Sequence, residues 1–185
     1  MSVRLSTATW PEMSAKTTPD ALDAAHWSGI EEATELLHEE RFREAVVELH
    51  RALKDDPKNP YAYYFLGIAF FELGEIEPAR DAYAACLRLA PGHLGARVAY
   101  AHVLRMLGDV RGSIREGMAA LSQAPADPDA LHAVGLAYHA RGDEAAAVKY
   151  LEAFVATHPE FEVDAETRAL VASIKGPDPE PSNDD

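Results

Sequence analysis

A single cysteine, Cys86, stands in a chain of 185 residues. One thiol excludes an intrachain disulfide and any cysteine-based zinc site. Basic residues are also scarce: Lys and Arg total 17 against 31 Asp and Glu, a formal net charge of −14 with histidine neutral. A phosphate backbone requires a cationic surface, so this balance argues against nucleic acid as a partner. An acidic surface serves solubility and the steering of basic partners. No apolar run reaches the roughly 18 residues that a membrane span needs. The opening MSVRLSTATWPEMSAKTTPD has no apolar stretch of signal-peptide length. These absences lead us to expect a soluble cytoplasmic protein without membrane insertion. Also missing are a nucleophile with a partnered base, a glycine-rich phosphate loop and a metal constellation. No catalytic residue, metal or cofactor is therefore assigned, and an enzyme is not expected.

What is present is a period. Pro57, Pro91, Pro125 and Pro159 each close an apolar run, and each step is 34 residues. Ala45, Ala79 and Ala147 lie 12 residues before three of them, with Ser113 in the same place before Pro125. Asn59-Pro60 and Asp127-Pro128 each put a good N-cap before a proline suited to the first helical position. Leu-Gly-Glu at 73–75, Leu-Gly-Asp at 107–109 and Arg-Gly-Asp at 141–143 read as turns, in which glycine ends one helix and an acid opens the next. The chain is predicted to be all-α.

Fixed self-similarity of this kind marks a repeat array. The sequence resembles the tetratricopeptide repeat family, whose 34-residue unit is a helix-turn-helix. Tyr63-x2-Leu66-Gly67-x2-Phe70, Ala79-x3-Tyr83 and Pro91 carry the likeness, as do Leu131-x2-Val134-Gly135-x2-Tyr138, Ala147-x3-Leu151 and Pro159. The first unit matches mainly in its second helix, through Ala45-x3-Leu49 and Pro57. The third matches least, with Gly117 where a large residue usually packs. The resemblance implies a right-handed superhelix, an α-solenoid of about four units at 26–59, 60–93, 94–127 and 128–161. The array is expected over 19–161, with a capping helix at 162–175 and disordered segments at 1–18 and 176–185.

The stretch YAYYFLGIAFF, Tyr61 to Phe71, holds too many rings for one face of a surface helix. Tyr63, Leu66 and Phe70 fall on packing positions of the family. Tyr61, Tyr64, Ile68 and Phe71 share an arc of roughly 80°. In this fold that arc lines the concave surface. The first unit contributes Trp27, Ile30, Thr34 and Leu37 to the same arc; the third contributes Gly95, Val98, His102 and Arg105; the fourth contributes Asp129, His132, Leu136 and His139. The candidate partner-binding residues are therefore Tyr61, Tyr64, Ile68, Phe71, Val98, His102, Arg105, His132, Leu136 and His139. They suit an extended or helical protein segment with apolar anchors and an acidic end.

The resemblance also supplies an exclusion. Relatives that grip a terminal carboxylate use Lys, Asn and Arg on this face, and the matching places are Ile30, Thr34, Phe65, Gly95 and Ala99. None is basic. His132 and His139 stand two helical turns apart, about 10 Å, too far to share a metal by themselves. The expected function is a non-enzymatic adaptor or scaffold that binds a partner segment in the concave groove. Two alternatives stay open. One is a homo-oligomer built by a terminal segment entering the next copy's groove; the other is a cytosolic secretion chaperone. The N-terminal segment could equally cover the groove from its own chain.

Overall fold

A computed structural model describes residues 21–157 and 161–176 of the chain. The segments expected to be disordered, 1–18 and 176–185, lie outside the described residues except for Gly176. The described residues form ten helices and no strand: α1 (Ala21–Ser28), α2 (Glu31–His38), α3 (Phe42–Asp55), α4 (Pro60–Glu72), α5 (Ile76–Leu89), α6 (Leu94–Met106), α7 (Val110–Gln123), α8 (Pro128–Arg141), α9 (Glu144–Val155) and α10 (Phe161–Lys175). From α2 to α10 each helix packs on its neighbours in sequence, and α6 also meets α8. Contacts stay local because a lone hairpin cannot bury both its faces, whereas stacked hairpins bury them against one another. The result is a right-handed α-solenoid.

The periodic residues act at the points the period predicts. Asn59 caps α4 by accepting from the amides of Tyr61 and Ala62, and Asp127 caps α8 by accepting from Ala130. Asp109 and Asp143 cap α7 and α9 in the same way. Gly74, Gly108 and Gly142 close the turns within three hairpins with φ of 76°, 84° and 81°. These are left-handed conformations, which cost glycine nothing. Ala45, Ala79 and Ala147 are fully buried where paired helices cross.

Close approach of the paired helices is what the small residues permit. A Cβ on Gly67 would lie 2.5 Å from the Tyr83 ring, and one on Gly135 would lie 2.6 Å from the Leu151 side chain. Gly117, in the Tyr83 register, is filled from the next hairpin instead. Val134 of α8 occupies the space, 2.6 Å from where a Cβ would stand. The third hairpin is thus packed rather than hollow at this position. α4 is apolar around its circumference and lies between α3 and α5, with the end of α1 against it. That arrangement absorbs most of the aromatic stretch.

The first unit departs from expectation. Trp27, Ile30, Thr34 and Leu37 do not share one helix. The chain breaks after α1 at Gly29–Ile30, where Ile30 takes φ −128° and its amide donates to the Trp27 carbonyl. Ser28 and Gly29 are weak helix formers, so the break costs little. It turns Ile30 and Leu37 into the core, at 1% and 4% exposure.

Two positions break the repeat's rules and predict measurable strain. Ser113 stands in the alanine register, 1% exposed, and its hydroxyl has no hydrogen-bond partner. Ser113→Ala removes an unsatisfied buried group and favours the helix, so urea unfolding should show a gain of about 1 kcal/mol. Glu40 occupies the turn register of Gly74 with φ 57°. Together with burial, its carboxylate also raises the pKa of Glu72. Glu40→Gly relieves both effects and should stabilise the chain by about 0.5–1 kcal/mol in the same assay.

Candidate functional site

The first helices of successive hairpins, α4, α6 and α8, carry the face on which the candidate residues lie, and α6 packs against α8. Ring contacts join them. Tyr64 of α4 lies 4.5 Å from the His93 ring at the head of α6, and Phe71 meets His102 of α6 edge-on at 5.6 Å. His132 of α8 stacks on Phe154 at 4.6 Å, and its Nε2 is 3.5 Å from the Thr167 hydroxyl of α10. All ten candidate residues lie on these three helices. Nine are half-buried, and His139 is exposed. Tyr61, Tyr64, Ile68, Phe71 and Val98 each pack against a neighbouring core cluster.

The two ends of this face are closed by the chain itself. At the N-terminal end Trp27 stacks on Tyr61 with centroids 4.9 Å apart. Asn59 holds it there. While its oxygen caps α4, its Nδ2 donates to the His26 carbonyl at 2.8 Å, and His26 Nε2 meets Asp56 at 3.1 Å. The Tyr64 hydroxyl closes over Gly95, 3.1 Å from where a Cβ would sit. Burial accordingly pushes the Tyr64 phenol up to about 12. At the other end α10 packs on α9, fastened by Lys175 to Glu152, and brings Thr167 to His132. Among the described residues, the middle of the face, around Phe71, His102, Arg105 and Leu136, is the part that neither Trp27 nor α10 reaches.

The electrostatics of that middle are unusual. Burial, with Arg105 and His132 adding to it, pushes His102 down to about 4. Burial and Arg105 push His132 down to about 4 as well. Arg105 is itself lowered by burial. Its Nε is enclosed with no hydrogen-bond partner, and no carboxylate pairs with it among the described residues. Among the described residues no three His, Cys, Asp or Glu side chains converge as a metal set. Cys86 is buried, with its thiol pushed up to about 12 by burial, and that leaves it unreactive.

Sequence reasoning missed three contributors. Trp27 was assigned to the inner face but not as a cover for Tyr61. Thr167 carries no periodic signal at all. His93 was legible, because it stands 34 residues from both Asn59 and Asp127, in their N-cap register. Its Nδ1 accepts from the Ala96 amide and so caps α6. Of the places where relatives grip a carboxylate, Ile30 and Phe65 are buried and Gly95 lies under Tyr64.

The histidines predict an acid limb in stability. In the unfolded chain His102 and His132 take up protons near pH 6.5; in the folded chain they resist protonation until about pH 4. The unfolded state therefore binds more protons in that window, and stability should fall as pH drops from about 6.5 towards 4. Above pH 6.5 the contribution is complete. Urea midpoints at pH 7.5 and pH 5 should differ more for the native chain than for His102→Asn/His132→Asn. Equal differences would remove the histidines as the cause.

Two tetratricopeptide repeat family models match the chain, over residues 30–93 and 129–160, together about half of its length. No curated protein matches it in sequence. Among solved structures, MamA residues 41 to the end from Desulfovibrio magneticus RS-1 is 20% identical with a TM-score of 0.66, covering 81% of this chain and 94% of that one. PilW, described as a widely conserved type IV pilus biogenesis factor, is 23% identical with a TM-score of 0.70, covering 80% and 70%. The first repeat domain of Spaghetti (RPAP3), solved with the HSP90 peptide SRMEEVD, is 15% identical with a TM-score of 0.61, covering 63% and 93%. Among the described residues no helix is long and apolar enough to cross a membrane.

Proposed function

The chain belongs to the tetratricopeptide repeat family, and on that footing we infer that it is a non-enzymatic scaffold that binds a protein segment on its concave face. The observation that carries this reading is the middle of that face, which neither Trp27 nor α10 covers among the described residues. Phe71 meets His102 there, with Arg105 one turn further along α6 and Leu136 one turn beyond His132 on α8, between ends that Trp27 and α10 already occupy. A half-buried apolar strip beside hydrogen-bonding groups fits an extended or helical segment with apolar anchors. Fold alone does not assign function, so the argument rests on these residues. The HSP90 peptide bound by the Spaghetti domain supports peptide recognition by the fold. The terminal-carboxylate mode is disfavoured here because none of the residues at its places is basic.

Tyr61 and Tyr64 are proposed as walls rather than contacts, because Trp27 and His93 already cover them. His139 is exposed at the rim of the same face, whereas Val47 of α3 is 63% exposed on a second helix. A photo-crosslinking residue placed at either position leaves the core intact. In the source cell, substitution at His139 should trap a partner that substitution at Val47 does not. Equal trapping at both positions, or trapping at Val47 alone, would place the binding surface elsewhere.

A further inference from the structure

Three described arginines are not fully exposed: Arg80, Arg97 and Arg105. Arg80 pairs with Asp81 at 2.7 Å, and Arg97 pairs with Glu116 at 2.7 Å between α6 and α7. Arg105 pairs with no carboxylate among the described residues, and its Nε is sealed from solvent without an acceptor. A guanidinium cannot escape this by losing its proton. The chain holds 31 acids for 17 bases, so a partner was readily available to evolution. Asp129, on the facing helix, acts on Tyr64 instead, and no carboxylate contributes to Arg105. The two flanking histidines do not relieve the imbalance, since neutral imidazoles add no negative charge. A half-buried cation with open hydrogen-bonding capacity is complementary to a carboxylate brought from outside.

Resting on the concave-face reading above, we propose that Arg105, with His102 and His132 beside it, is a carboxylate subsite. The segment it takes carries an Asp or Glu side chain next to an apolar anchor seated on Phe71 and Leu136. The fork of Arg105 donates to the carboxylate, and the imidazoles supply further donors. Arrival of the carboxylate favours the charged imidazoles, the reverse of what Arg105 does to them in the free chain. None of Ile30, Thr34, Phe65, Gly95 and Ala99 supplies a group to the subsite, so it does not depend on a free C-terminus.

The probe is a random peptide library displayed on phage with no free C-terminus, panned on the native chain and on Arg105→Gln. Peptides enriched by the native chain should pair Asp or Glu with a nearby aromatic or aliphatic residue. On Arg105→Gln the apolar residue should persist and the acidic preference should disappear. A synthetic acidic binder should lose about tenfold or more in affinity on the variant. The variant should unfold at or above the native temperature, because it removes an unpaired half-buried charge. In the native chain, NMR titration should show the His102 and His132 pKa values rising when the acidic peptide binds but not its Gln counterpart. Apolar binders without an acid, an acidic preference that survives Arg105→Gln, or unmoved histidines would overturn the subsite and leave the concave face as the site. Failure of the native chain to enrich any sequence would overturn both.

Discussion

Everything in this solenoid depends on how closely the two helices of a hairpin can approach. The Gly67–Tyr83 and Gly135–Leu151 contacts set that distance, since a single added methyl on either glycine would collide with a packed side chain. The third hairpin meets the same constraint in another way. Ala101 replaces the glycine and Gly117 replaces the large residue, so the missing volume comes from Val134 of the following hairpin. A contact made within a hairpin elsewhere is made between hairpins there. Small-to-large complementarity is kept while its partners change, which is how interiors of fixed packing density tolerate unlike sequences.

Stacking of this kind determines which surface is left over. Each hairpin spends its second helix on the neighbouring hairpins and turns one stripe of its first helix to the inner face. At both ends the chain recovers part of that stripe for its own stability. Asn59 ties α1 to the start of α4, so Trp27 covers Tyr61, and α10 covers the last hairpin near His132. Among the described residues, what remains is a short central segment. Its location follows from the number of repeats and from where the covers end, not from any special local fold.

How much of this the sequence discloses follows from what a period can report. The proline steps, the alanine register and the turn glycines express interactions that recur in every unit, so they disclose the fold and its hairpins. The break at Gly29, the left-handed Glu40 and the burial of Ile30 belong to one unit each and leave no periodic trace. His93 lies between these cases. It replaces Asn59 and Asp127 in a register the period exposes, yet its ring on Tyr64 depends on three-dimensional placement. The inner-face residues were found by adding the period to Tyr61, Tyr64, Ile68 and Phe71. Their burial leaves no such trace, because what covers them, Trp27, His93 and α10, lies outside the helices that carry them.

Those limits bear on where function resides in such an array. A repeat must keep its packing residues alike to stack, so binding chemistry is confined to positions where units differ. Along one register, Phe71 of α4 becomes Arg105 of α6 and His139 of α8. Along another, Ile68 becomes His102 and Leu136. Packing does not require an arginine in either place. A side chain that recurs at every step is explained by the stack; one that appears once, half-buried and unpaired, is not. Arg105 is charged, enclosed at Nε and without a carboxylate partner among the described residues of an acid-rich chain. Stability alone favours its replacement by a neutral side chain, so the physical case for keeping it lies in an interaction the free chain does not complete.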